Sequence, residues 1–71
     1  MSDVAKIIRT ARLEAGFSLR TLERKAGLSS GVVSRIENGL VSPTVDTLIA
    51  ITRACDYEIV IKPIYKRGGA R

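Results

Sequence analysis

The sequence predicts an all-α domain of four to five short helices plus one C-terminal β-strand, and three observations carry that reading. Apolar residues recur at helical spacing in successive segments, each opened by a capping residue or closed by a glycine. Residues 18–39 read as helix, tight turn, helix, with Gly27 at the turn and Gly39 at the exit. Residues 57–62 instead are β-branched and alternate polar with apolar.

The elements follow in order. Ser2 or Asp3 can cap a first helix whose apolar face is Val4, Ile7, Ile8 and Ala11, and Gly16 suits the left-handed residue that ends it. Ser18 caps the second helix, with Leu22 and Ala26 inward, and Gly27 closes it. Leu28 is expected in the core. Ser29 is read as the cap of a third helix, 29–37, whose Val33 and Ile36 point inward together, and Asn38-Gly39 is a strong stop. After the loop Leu40-Val41-Ser42-Pro43, Thr44 caps a fourth helix with Asp46 in its first turn and an inner stripe of Val45, Leu48, Ile51, Thr52 and Cys55. Ile49 lies off that stripe.

In the segment Tyr57-Glu58-Ile59-Val60-Ile61-Lys62, the residues Tyr57, Ile59 and Ile61 would share one face. No second strand of this kind exists in the chain, and a lone strand leaves a row of backbone groups unpaired. Pairing with the same strand of a second copy removes that liability. The expectation is therefore a homodimer with a two-stranded intermolecular sheet, its interface built from Ile49, Tyr57, Ile59, Val60 and Ile61. The alternative is a tail lying over its own core. The domain reading is 1–56 for the helical unit, 57–65 for the strand and 66–71 for a disordered basic tail.

Composition narrows the function. The chain has 71 residues, 12 lysines and arginines against 7 acids, and a net charge of +5, which attracts polyanions. One cysteine allows no intrachain disulfide and suits a cytoplasmic setting. Without histidine there is no imidazole for metal binding or general base catalysis. No carboxylate pairing suggests catalysis, and no phosphate-cradling glycine loop, metal-ligand cluster or apolar run of membrane-spanning length is present. The expectation is a non-enzymatic protein with no catalytic residues, metal, cofactor or membrane partner. Cys55 is read as a small core residue. The helix–turn–helix unit instead places its second helix where a DNA major groove can receive it.

The residues Arg12-Leu13, Gly16-Phe17-Ser18, Leu22, Ala26-Gly27-Leu28-Ser29, Val33-Ser34-Arg35-Ile36-Glu37-Asn38-Gly39, Ser42-Pro43-Thr44 and Thr47-Leu48 resemble the XRE-type helix-turn-helix family, which includes lambdoid phage repressors and Cro proteins. The resemblance runs from Ile8 to Cys55, about two thirds of the chain, and rests on ordered spacing rather than on one short pattern. It implies a repressor-like domain that binds double-stranded DNA in a bacterial or phage setting. The ending Asp56 to Pro63 is similar to antitoxins of the family in which a strand pairs across the dimer and a toxin protein is a further partner. Three departures stand out. Leu19 occupies a place where the family often has a phosphate-holding glutamine, so that Arg20 is the expected substitute. Glu23 stands where alanine is usual. Ser30-Gly31 stands where a longer polar residue usually follows the cap of helix three.

Carried onto this chain, the family pattern makes Ser30, Gly31, Val32, Ser34 and Arg35 the candidate base contacts. Arg35 is the best reader, because its guanidinium fork can grip guanine O6 and N7 together. Its competing role is pairing to phosphate, Glu37 or Glu14. Val32 could touch a thymine methyl, and Gly31 suggests close backbone approach. Ser18, Arg20, Ser29, Asn38, Ser42 and Thr44 are candidate phosphate contacts, although their capping and turn chemistry needs no DNA. Glu37 is read as a structural brace. Two such helices about a two-fold axis would enter successive major grooves about 34 Å apart, so the operator should be an inverted repeat. Repression by occluding polymerase follows from the family; activation, as in restriction controllers, is the opposite sign open to the same architecture. The rival readings are an antitoxin whose main work is neutralising a toxin, and a relic that mediates only protein contacts.

Overall fold

A computed structural model describes residues 3–64 and contains four α-helices. They are α1 (Asp3–Glu14), α2 (Leu19–Ala26), α3 (Val32–Glu37) and α4 (Val45–Ala54). Helices α1 and α2 each pack against both α3 and α4 or, for α2, directly across the turn onto α3. One core results, made of Ile8 and Ala11 from α1, Leu22 from α2, Val33 and Ile36 from α3, and Ile51 with Cys55 from α4 and its cap. Phe17, Leu28 and Leu48 pack half-buried against it. Four short helices can share one core because each contributes only a few side chains from a single stripe.

Local signals set most boundaries. The Ser18 hydroxyl accepts from Thr21 N–H at 3.1 Å and opens α2, and Thr44 accepts from Thr47 N–H at 3.1 Å and opens α4. All four helices end in a bond back to a late carbonyl of the helix: in α1, α3 and α4 the residue three past the last helical one donates to the third-last carbonyl, and in α2 the residue one past the cap Gly27 donates to the fourth-last. The donors are Phe17 to Arg12, Leu28 to Glu23, Leu40 to Arg35 and Tyr57 to Thr52. Glycine occupies the left-handed position at the first three of these ends, and Asp56, at φ 63°, occupies it at the fourth.

Several expectations need correction. The helix count is not among them, since the four helices of the described residues fall within the expected four to five. The third helix begins at Val32, not at Ser29, and Ser29 does not cap it with its side chain; the cap residue is Gly31, in the left-handed conformation at φ 86°. Glycine suits that left-handed backbone conformation. Val45 is 69% exposed and does not belong to the inner stripe of α4, and Ile7 is likewise exposed on α1. Ile7 is next to the fully buried Ile8 and so stands about 100° around the helix from it, and Val45 is the first residue of α4.

No strand forms among the described residues, and positions 57–64 carry no regular secondary structure. A β-ladder needs a second row of N–H and C=O groups, and a single copy supplies none. Tyr57 is instead tied to its own chain: its hydroxyl donates to Glu14 Oε1 on α1. The Ser2 cap and the basic tail 66–71 lie outside the described residues.

Candidate nucleic-acid interface

The candidate surface is built from the start of α2, the turn Gly27–Gly31, α3 and the loop into α4. Ser18 is exposed, and its hydroxyl is held by Thr21, donating to Thr21 Oγ1 at 2.9 Å. Arg20 is exposed on the first turn of α2, with Arg24 one turn along. These two side chains line a shallow cleft together with Glu23, Leu28 and Ser30. Ser29 and Ser30 are exposed in the turn. The cleft therefore presents two guanidinium groups and the Ser30 hydroxyl, groups suited to phosphate oxygens, with the Glu23 carboxylate beside them.

On α3 the candidate base contacts divide. Arg35 is exposed. Its Nη1 lies over Gly31, 3.0 Å from where a Cβ there would stand. Ser34 is half-buried, and its Oγ accepts from Asn38 Nδ2 at 3.3 Å, so two candidates hold one another. Val32 is half-buried and packs against the core, which leaves only part of it for a thymine methyl. Ser42 and Thr44 are exposed, with Thr44 engaged as the α4 cap.

The competing partners of Arg35 are occupied elsewhere. Glu37 is buried and takes both nitrogens of the Arg12 fork, Nε at 2.7 Å and Nη2 at 3.0 Å. Arg12 Nη1 also donates to Phe17 O at 3.0 Å. The carboxylate of Glu37 holds the Arg12 guanidinium above its ordinary pKa. Glu14 receives the Tyr57 hydroxyl, a bond that pushes the Tyr57 phenol up from its usual value. Arg12–Glu37 is the one ion pair among the described residues, so no carboxylate there neutralises Arg35. The reading of Glu37 as a brace matches its position: it ties the end of α3 to α1.

Glu23 was legible only as a departure from a family alanine, and its role comes from the fold. It is 5% exposed, and its Oε2 accepts from Gly31 N–H at 2.9 Å and Val33 N–H at 3.3 Å. The start of α3 is therefore capped from α2. In the sequence Arg24 carries no local signal beyond its charge, and Arg12 is placed in the family pattern without its partner, which lies 25 positions away. Cys55 is buried, and burial followed by the nearby Asp56 charge pushes its thiol pKa up, as befits a packed core residue.

Two helices joined by a tight turn, the second exposing an unneutralised arginine beside a basic cleft, define a helix-turn-helix domain. The chain belongs to the helix-turn-helix family HTH_3, whose model matches residues 8–61. It is also 35% identical over 60 residues to a protein of Sinorhizobium fredii (strain NBRC 101917 / NGR234) named "Uncharacterized HTH-type transcriptional regulator y4dL". That match takes in 84% of this chain but only 31% of the relative, so the chain spans about a third of the relative's length. No solved structure matches it.

Proposed function

We propose that the chain is a sequence-specific DNA-binding regulator of transcription, working as a homodimeric repressor on an inverted-repeat operator. The observation that carries this reading is Arg35, exposed on α3 with no carboxylate partner while Glu37 and Glu14 are engaged elsewhere. An arginine left unpaired on the second helix of this unit is free to meet a guanine edge. Arg20, Arg24 and Ser30 supply the phosphate contacts that set orientation, and Ser18, Ser29, Asn38, Ser42 and Thr44 flank them. A regulatory role is supported by the family and by the name of the Sinorhizobium fredii relative. The protein acts by binding rather than by catalysis.

Dimerisation is supported by a cleft between α4 and the segment after it, where the apolar side chains of Val45, Ile49, Ile59 and Ile61 stand beside Arg53 and Glu58. A second copy would cover these side chains and provide the missing strand for Tyr57 to Ile61. The exposed Val60, Ile61 and Ile64 favour a second reading for this segment, docking of a toxin protein as in antitoxins of the family.

The test is selection of duplexes from a randomised pool by the purified chain, followed by titration of the recovered duplex against an unrelated one at several salt concentrations. The expected result is an inverted repeat with half-site centres about 34 Å apart. Arg35→Ala should then lose about 1–3 kcal/mol of discrimination at one base pair per half-site. Recovery of no preferred duplex would remove the DNA-reading role and bring the protein-partner readings forward, and a monomer by sedimentation would remove the dimer.

A further inference from the structure

We infer that Glu23 is a positioning residue for base readout: from α2 it sets the turn before α3 and thereby places Ser30 and Arg35 on the duplex. This rests on the DNA-binding reading above. The cap of α3 lacks a side chain of its own, because the cap residue is Gly31 and Ser29 does not serve. Glu23 Oε2 takes over, accepting the N–H groups of Gly31 and Val33. One bond fixes the left-handed residue and the other fixes the first turn of the helix. Arg35 N–H donates to Gly31 O at 3.1 Å, so a shift of Gly31 is passed along the backbone to the base reader.

The energetics point the same way. Glu23 is buried, and among the described residues no cation forms an ion pair with it, although Arg20 and Arg24 line the same cleft. Burying an unpaired carboxylate is costly, and only hydrogen bonds to its charged form offset that cost. An alanine would fill the helical position more cheaply. The carboxylate also places a negative charge beside a face that meets phosphates, which weakens binding to any duplex while holding the geometry that selects one. Affinity and selectivity should therefore move in opposite directions when it is removed, which a purely stabilising contact would not produce.

The experiment compares wild type with Glu23→Ala and Glu23→Gln, using the duplex recovered by selection with wild type and an unrelated duplex of equal length. In Glu23→Ala the ratio of the two affinities should fall about tenfold, the scale of a lost cap, while binding of the unrelated duplex strengthens. Glu23→Gln keeps an amide oxygen for Gly31 and should hold the ratio within about threefold of wild type, yet also bind the unrelated duplex more tightly. Without DNA, the Gly31 amide proton should shift and lose exchange protection in Glu23→Ala but not in Glu23→Gln. An unchanged ratio in Glu23→Ala, or equal weakening on both duplexes, overturns the inference alone. A wild type that selects no duplex overturns the DNA-binding reading and this inference with it, whatever the Gly31 amide shows.

Discussion

Removing the carboxylate of Glu37 should cost this domain about 3–5 kcal/mol, the scale for stripping one partner from a buried ion pair. The structure explains why the upper part of that range applies. The side chains of Arg12 and Glu37 are 12% and 6% exposed, and the fork is bidentate. In Glu37→Ala the guanidinium keeps one acceptor, Phe17 O, and two of its three bonds are lost. A chain of 71 residues has roughly 4–11 kcal/mol of total stability, at about 0.05–0.15 kcal/mol per residue. The variant therefore sits near its unfolding limit. Urea denaturation at fixed protein concentration measures the loss, and the double variant Arg12→Met with Glu37→Leu supplies the control. Replacing both charges with packed apolar groups should restore most of the stability, because the attraction and the desolvation penalty disappear together. A loss below about 1 kcal/mol in Glu37→Ala would refute the reasoning, since it would place the pair among surface bridges. A double variant as unstable as the single would refute it too, by showing that shape rather than stranded charge sets the cost.

Two further outcomes follow from the end of α4. Asp56→Gly should stabilise the domain by about 0.5–1 kcal/mol, because glycine adopts the left-handed conformation without the Cβ cost but loses more freedom on folding; calorimetry that shows no rise in Tm would contradict this. The raised thiol pKa of Cys55 means that folding favours the neutral thiol, so its contribution is complete below the unfolded thiol pKa of about 8.5 and is lost as pH climbs above it. Denaturation curves should show wild type weakening across that alkaline window more steeply than Cys55→Ala, and parallel curves would deny the thiol this role.

At the ends of α2 and α4 and along the core stripes of α1 and α3, signal and effect lie within a turn or so of one another, and the amino-acid order by itself determined the outcome. Ser18 and Thr44 cap helices because their hydroxyls reach N–H groups three residues on, and Gly27 and Gly39 end helices because a left-handed residue is needed there. The apolar spacing of Ile8 with Ala11, and of Val33 with Ile36, named core residues for the same local reason. The placement of Arg35 on an exposed face follows from that spacing as well. Only the tertiary structure decided which carboxylates leave Arg35 free, because Glu37 finds Arg12 across 25 positions and Glu14 finds Tyr57 across 43. It also decided where α3 starts. Ser29 is a good cap by type, but Glu23 arrives from α2 with a carboxylate and takes the N–H groups of Gly31 and Val33 first. A charged acceptor held rigidly by a packed helix outcompetes a neutral hydroxyl in the turn, and that advantage exists only once the two helices are folded together.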